Sequence, residues 1–334
     1  MVVWGMPRSP GELPAALDDS FSYSLARQAG VSARRLRARD LDAPFYGVRR
    51  RRADAPPGRA DDAPLARDRA MRARVIRDAR SYAAVMSPGA FFAGRTAAVL
   101  LGLPAPHGAE LEVGVFAPRR APRGRGIRGR ALNAAYVDVQ VRDDLRVASP
   151  ASAWTMLGSE MSERDLVRLG DAIVRVPRDD RGVPRPEWRL ATLDELRAAV
   201  DIGRRPGTAR LRRALARVRV GSMSPLETDV RLNAEDAGLP EPELDVEIRS
   251  VGGRLRGIAD MRYPRFRVLI EVEGDHHRTD RRQWARDIEK QAAYAAEGYE
   301  TVRLTGIQVR QHPERGVTLV RDALLRGGWV PGSR

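Results

Sequence analysis

The chain has 334 residues, of which 43% are hydrophobic and 31% are charged, and this length is enough for two or three domains with separate cores. It contains no cysteine, which excludes disulfides, thiolate catalysis and zinc sites built on sulfur. With four histidines in all, a bound metal is expected to be a hard ion held by carboxylates.

The formal net charge of +15 is unevenly distributed. Residues 1–220 carry 41 Arg and no Lys against 25 Asp and Glu, whereas residues 221–334 carry 18 basic and 19 acidic residues. A basic excess favours a polyanionic partner, most commonly nucleic acid. A GC-rich coding bias would also enrich arginine, and the chain has only one lysine, Lys290. That bias does not explain why the last third is nearly neutral.

No apolar run approaches the length of a membrane span, since the longest covers only residues 97–103. The first 14 residues lack the basic start and apolar centre of a secretory signal. We therefore expect a cytoplasmic protein with no membrane partner.

The N-terminal segment predicts two short helices and a strand. The helices are expected at residues 20–29 and 34–39, separated by the turn Gly30-Val31-Ser32, and the strand at 45–48. This order is typical of a small helix-turn-helix or winged-helix unit, which we assign to residues 1–55.

Residues 65–218 are predicted to form a basic, mixed α+β domain. A helix is expected from Asp68 to Met86, and Ser87-Pro88 provides an N-cap and first-turn proline for a second helix that ends at Gly102. Strands are expected at 111–116 and 135–141, and helices at 151–158, 162–175, 193–202 and 207–217.

An arginine- and glycine-rich loop lies between those two strands. Its basic residues are Arg119, Arg120, Arg123, Arg125, Arg128 and Arg130. They are candidates for contacts with a phosphate backbone. A solvated hairpin loop explains the same composition, and the sequence leaves both interpretations open.

The last third, residues 221–334, predicts the order helix, three strands, helix, strand, helix. The helices are expected at 224–237, 279–297 and 314–325, and the strands at 244–248, 255–261, 267–273 and 300–304.

Two of these strands carry acidic residues where packing does not favour them. Asp260 ends the second strand and Glu271 lies late in the third, so antiparallel pairing can bring the carboxylates together. Glu273 is two residues beyond Glu271 and points to the same face. Paired carboxylates repel and are costly to desolvate, but a cation such as Mg²⁺ or Mn²⁺ removes that cost. Alternatively, Glu271 and Glu273 form the solvent face of an edge strand.

The arrangement resembles the PD-(D/E)XK nucleases, and within them the very-short-patch-repair-like group called domain of unknown function 559. The resembling segments are Ser224-Pro-Leu-Glu227, Gly238-Leu-Pro, Gly257-Ile-Ala-Asp260, Glu271-Val-Glu-Gly-Asp-His-His277, Asp287 with Lys290, and Gly298-Tyr-Glu-Thr-Val-Arg303. The likeness covers nearly all of residues 221–326. It implies an α/β, restriction-endonuclease-like αβββαβ core and metal-dependent hydrolysis of phosphodiester bonds in DNA.

Carried over by residue, the resemblance implies that Asp260, Glu271 and the backbone carbonyl of Val272 bind Mg²⁺ or Mn²⁺, with Glu227 approaching from the helix. His277 is a candidate for orienting water or contacting a phosphate. Glu227 also fits a capping box as the third helical residue after Ser224, and the sequence does not choose between the two roles.

One departure from the pattern concerns the position two residues after the second acid. The family has lysine there and this chain has Glu273. The site is therefore inactive, or its positive group comes from elsewhere. Lys290 on the following helix is the candidate for that group, although Asp287 with Lys290 also fits a simple surface pair at i,i+3.

Residues 68–200 loosely resemble the AbiEi-type antitoxin domain. The likeness rests on the segment from Phe91 to Pro104 and on the step Leu145-Arg-Val-Ala-Ser-Pro150. It implies a DNA-binding or regulatory domain, with a protein partner in phage or mobile-element defence. Two hypotheses follow. The chain is an endonuclease delivered to DNA by its arginine-rich front portion, or it is a catalytically inactive nuclease-fold protein that acts as a DNA-binding regulator of antitoxin type.

Overall fold

The computed structural model of the chain describes residues 11–52, 65–274 and 281–332, with backbone alone at 281–287. Within these ranges the chain forms eleven α-helices and three β-sheets and is of the mixed α/β class, as expected. It divides into two compact units, Met1–Met156 and Leu157–Arg334. The finer division into 1–55, 65–218 and 221–334 stays a prediction. No helix in the described ranges combines the length and apolarity needed to cross a membrane.

The described part of the first unit contains nine strands and four α-helices, numbered in chain order. The strands are β1 (Ser20–Ser22), β2 (Leu41–Asp42), β3 (Val48–Arg51), β4 (Phe91–Phe92), β5 (Leu111–Phe116), β6 (Arg123–Gly124), β7 (Ile127–Leu132), β8 (Val139–Arg142) and β9 (Leu145–Ala148). The helices are α1 (Tyr23–Gln28), α2 (Ala66–Ala83), α3 (Gly94–Leu100) and α4 (Pro150–Met156). The strands form a three-stranded sheet, β1-β3-β2, and a six-stranded sheet, β6-β7-β5-β4-β9-β8.

The second helix expected near the N-terminus is only a 3₁₀ turn, Arg35–Arg37, and the expected strand starts later, at Val48. A small core beneath these elements buries Phe21, Ala26 and Leu36. Gly30 ends α1 at a φ of +82°, a value that glycine adopts without a steric penalty. The Gly30-Val31-Ser32 turn is therefore present, and the three-stranded sheet contributes as many residues of regular structure as α1 and the 3₁₀ turn together.

The expectation of a helix beginning at Ser87-Pro88 was wrong. The helix α3 begins only at Gly94, and the preceding Phe91 and Phe92 form strand β4 between β5 and β9. Both phenylalanines are fully buried, so the burial of two aromatic rings in the sheet outweighs the local cap signal. The expected arginine-rich loop also differs, because β6 and β7 form a hairpin within it and β7 runs parallel to β5.

The described part of the second unit contains seven α-helices and four strands. The helices are α5 (Glu163–Val174), α6 (Leu193–Asp201), α7 (Thr208–Arg217), α8 (Pro225–Asp236), α9 (Arg281–Ala296), α10 (Gly306–Arg310) and α11 (Pro313–Arg326). The strands are β10 (Glu243–Arg249), β11 (Leu255–Tyr263), β12 (Val268–Glu273) and β13 (Glu300–Thr305). From α8 onward this is the expected order, with α10 as a short addition.

The four strands form one sheet in the order β10-β11-β12-β13. The first three are antiparallel neighbours, and β13 is parallel to β12, so α9 is the crossover that a parallel pair requires. One apolar core joins the sheet to α8, α10 and α11 through residues such as Met261, Ile270 and Leu324. A smaller core contains Leu269 and, on α9, Tyr294. The sheet is therefore covered on both faces, and α9 packs against β11 and β13.

Helix α8 is fixed to α5 by a buried ion pair. The side chains of Arg231 and Asp171 are 3% and 1% exposed and lie 2.8 Å apart. The Thr228 hydroxyl and the Arg219 N–H also donate to the Asp171 carboxylate, at 2.9 and 2.8 Å. A buried charge with this many partners is satisfied, and it sets the position of the helix that carries Glu227.

Candidate metal centre

Asp260 and Glu271 meet where β11 and β12 separate. The β11–β12 ladder runs from the Tyr263–Val268 pair to the Met261–Ile270 pair, and Asp260 and Glu271 are the next residue on each strand. The Asp260 side chain reaches the neighbouring main chain, where its Oδ2 accepts the Val272 N–H at 2.6 Å. The expected proximity of the two carboxylates is therefore present, and one of them is held by a charge-assisted hydrogen bond.

Glu271 has two differently placed oxygens. Its Oε2 accepts a hydrogen bond from Lys290 Nζ at 2.8 Å, whereas its Oε1 is buried and has no hydrogen-bond partner among the described residues. A buried acceptor without a partner is costly. The Tyr294 hydroxyl interacts with the same carboxylate, and a cation would give Oε1 a further partner.

Lys290 is positioned by the helix and by an aromatic ring. Its Nζ lies 5.5 Å from the centroid of the Tyr294 ring, one helical turn further along α9. The Tyr294 side chain is fully buried, and Gly257 in β11 makes room for it. A Cβ at position 257 would lie 2.6 Å from the Tyr294 hydroxyl oxygen. Gly257, Tyr294 and Lys290 therefore form a stack that brings the ammonium group to Glu271.

Glu227 enters from α8 and is 7% exposed. Its N–H donates to the Ser224 hydroxyl at 3.2 Å, which is one half of the expected capping box. Its carboxylate does not close the box on Ser224 but accepts the Met223 N–H at 2.7 Å. Both roles considered from the sequence thus remain. The Glu227 carboxylate is partly engaged in capping, and it is also close enough to Asp260 for the charge of Asp260 to raise the pKa of Glu227.

A fourth carboxylate, Asp245 in β10, belongs to the same group. Its φ of +52° is unusual for a residue with a side chain. Arg178 donates to both of its carboxylate oxygens, at 3.0 and 2.9 Å, and to its backbone carbonyl at 3.0 Å. The same guanidinium also reaches Glu247 at 3.2 Å. The sequence reasoning missed both Asp245 and Arg178. An aspartate inside a strand was the available signal, and Arg178 offered none.

The pKa values of Glu227, Asp260 and Glu271 are all raised. Burial, followed by the charge of Asp260, raises the pKa of Glu227 to about 8 and that of Glu271 to about 7. Burial also raises the pKa of Asp260, and the charge of Asp245 adds to the effect, although the Val272 N–H and Lys290 act against it. These carboxylates are thus held close together in a poorly solvated place that disfavours their negative charge.

Glu273, which stands where the family has lysine, forms an ion pair with Arg303 of β13. The two side chains are 39% and 44% exposed. The parallel register pairs Glu271 with Arg303 and Glu273 with Thr305, so Arg303 lies beside both acids. Glu273 therefore lies at the exposed rim of the group, two residues beyond Glu271 on the same face of β12.

Asp260 and Glu271 carry the kind of oxygen donor that a hard divalent cation prefers. No group of three or more His, Asp or Glu side chains in the described ranges is placed to hold a metal ion. Magnesium commonly takes only one or two carboxylates and keeps water in its other positions. The partnerless Oε1 of Glu271 and the raised pKa values of Glu271 and Asp260 are what a cation would correct. His277, also a candidate, lies outside the described residues.

The candidate nucleic-acid-binding arginines in the first unit are not equivalent. Arg128 and Arg130 lie 3.7 and 3.5 Å from the carboxylate of the buried Glu112, and Arg119 donates to the Pro88 carbonyl. The remaining candidates are exposed on the hairpin around β6; they are Arg120, Arg123 and Arg125. This set is accessible to a partner.

The chain matches no protein-family model, no curated protein and no solved structure.

Proposed function

We propose that residues 221–334 form a nuclease module with a restriction-endonuclease-like core, which hydrolyses phosphodiester bonds in DNA with Mg²⁺ or Mn²⁺. The observation that carries the proposal is the placement of Asp260 and Glu271. They lie side by side on adjacent strands, in a poorly solvated group of carboxylates, with one lysine in contact. Packing alone does not explain such a group, because burial and the charge of Asp260 both disfavour the ionised forms of Glu227 and Glu271.

In this proposal Asp260 and Glu271 would hold the metal, together with the backbone carbonyl of Val272 and with Glu227 nearby. The bound cation would lower the pKa of a water molecule and offset the charge that develops on the phosphate. The chain's own residues do the positioning. The Val272 N–H orients Asp260, and Lys290 orients Glu271 through Oε2 while Oε1 stays available.

The substrate would be held in part by the arginine-rich front portion, for which a small winged-helix unit is also proposed. Arg120, Arg123 and Arg125 are exposed, and guanidinium groups suit phosphate oxygens. Such contacts give affinity without sequence preference. A role in phage or mobile-element defence, or in DNA repair, would be compatible with this arrangement.

A second candidate function is that of a DNA-binding regulator of antitoxin type with an inactive nuclease fold. One observation favours it. Glu273 occupies the family's lysine position and is already paired with Arg303. Under this alternative the protein would bind DNA without cutting it.

Purified protein incubated with plasmid DNA and with single-stranded DNA separates the two. Parallel reactions would contain Mg²⁺, Mn²⁺ or EDTA, with Asp260→Ala as the variant. Cleavage that depends on metal and is lost in the variant supports the nuclease. Binding without cleavage in every metal would refute it and leave the regulator.

A further inference from the structure

Arg303 is a cation at the rim of the carboxylate group that the nuclease proposal does not use. It lies in β13, directly across from Glu271 in the parallel register. Its neighbours in the strand, Val302 and Leu304, are buried in the core, whereas Arg303 itself is exposed. The strand therefore presents the guanidinium on the face that carries Glu271, Glu273 and α9.

Two side chains hold the guanidinium in place. Glu273 forms an ion pair with it. Gln291 of α9, with its amide oxygen turned toward Arg303, accepts from Nη1 at 2.8 Å and from Nε at 3.0 Å. A guanidinium has five N–H donors, so these contacts orient the group without using all of them.

Arg303 differs from the other cation at the site in its accessibility. Lys290 is 30% exposed and its ammonium group is bonded to Glu271. Arg303 is 44% exposed, and its partner Glu273 is 39% exposed. An exposed ion pair of this kind contributes little to stability, so its partner can be exchanged for another anion at small cost.

We propose that Arg303 is a phosphate-binding residue, which contacts a phosphodiester group of the nucleic acid placed at Asp260 and Glu271. Glu273 holds the guanidinium ready in the absence of substrate, and the phosphate replaces Glu273 when substrate binds. Arg303, on the neighbouring strand, thus supplies the positive charge that position 273 lacks. This inference rests on the proposed function, since it assumes that nucleic acid reaches the site.

The test compares Arg303→Gln with Arg326→Gln in the full chain. Arg326 is the control, because it pairs with Glu300, the first residue of the same strand, and its side chain is also exposed, at 60% against 44% for Arg303. Binding of a short fluorescein-labelled DNA duplex is measured in Ca²⁺ and in EDTA over a range of salt concentrations, and cleavage is measured separately in Mg²⁺ and Mn²⁺.

Arg303→Gln is expected to weaken binding about fivefold or more and to reduce the salt slope by about 1. Arg326→Gln should change affinity by less than about twofold, as expected for an exposed pair. Glu273→Gln removes the anion that competes with phosphate for the guanidinium and should strengthen binding. If Arg303→Gln lowers the melting temperature, Arg303→Lys, which keeps the charge, should retain most of the affinity.

Equal binding by the Arg303 and Arg326 variants would overturn the inference, as would cleavage lost with binding unchanged. If the wild-type protein cuts no DNA in any metal, the proposed function fails. The comparison of binding between the two variants still decides whether Arg303 contacts phosphate.

Discussion

Lys290 donates a hydrogen bond to Glu271 at 2.8 Å, and the contact joins a crossover helix to the strand that it covers. The two residues are 19 positions apart in the chain. The ring of the buried Tyr294 lies against the ammonium group, so a core residue helps to position this contact. The single lysine thus has a defined place in the carboxylate group.

Lys290→Ala should reduce DNA cleavage by a factor of about 100 or more, the usual cost of removing one oriented donor from an active site. Without the ammonium group the pKa of Glu271, already raised to about 7, should rise further, because Lys290 acts to lower it. Initial rates of plasmid nicking in Mg²⁺ measure the effect. The control is Arg256→Ala, which removes a different ion pair, that of Arg256 in β11 with Glu297. Equal rates in the two variants would contradict the assignment.

The metal-free protein should lose stability as pH rises from about 4.5 to about 8. The pKa values of Glu227 and Glu271 are raised from 4.5 to about 8 and about 7. In this window the folded state keeps protons that the unfolded state has released, so raising the pH favours unfolding. Melting temperatures in EDTA across this range test the sign.

Asp260→Asn should flatten that pH profile and raise the melting temperature at pH 8 by about 2 °C or more, since it removes one of the repelling charges. Mg²⁺ or Mn²⁺ should stabilise the wild-type protein at pH 8 and leave the variant unchanged. A profile that rises with pH in EDTA would contradict the proximity of the carboxylates.

Arg178→Ala should lower the free energy of unfolding by about 2–3 kcal/mol, because it leaves Asp245 partly buried without its partner. The two side chains are only 13% and 15% exposed. Adding Asp245→Gly should recover much of the loss, since glycine tolerates the φ of +52° and carries no charge. Urea denaturation of the single and double variants measures the coupling. Arg249→Ala, the more exposed partner of Glu247, should cost less than about 1 kcal/mol.

Gly257→Ala should destabilise the second unit by about 1–3 kcal/mol, the usual cost of overpacking. The added methyl group would lie 2.6 Å from the Tyr294 hydroxyl oxygen. Tyr294→Phe removes that oxygen and should relieve part of the clash in the double variant. Additive effects in chemical denaturation would show that the two residues do not share this contact.

The carboxylate pair could be predicted from the sequence because the residue patterns that specify its two strands are local. Asp260 and Glu271 lie in strands with clear apolar patterns, and an antiparallel pair fixes which residues face each other. Lys290 could be proposed as the positive group of the site because it is the only lysine. Its contact with Glu271 could not be derived, since that depends on where α9 crosses the sheet.

Other features depend on contacts distant in sequence. Arg178 and Asp245 are 67 positions apart, and the loop that carries Arg178 has no periodicity to place it. The cap signal at Ser87-Pro88 misled for the related reason that sheet burial of Phe91 and Phe92 overrides local preference. Arg303 belongs to a segment that carried the family resemblance, but its role became visible only through the register with Glu271.

The placement of Lys290 has a practical consequence for chemical labelling. In a chain with one lysine, an amine-directed acylating reagent can modify only that side chain and the N-terminal amine. Lys290 is 30% exposed and donates to Glu271, so the extent of its acylation, located by peptide mass spectrometry, would report occupancy of the carboxylate group, with no cleavage assay. The arginine-rich composition thus leaves the protein with a built-in reporter at the place where its chemistry is proposed.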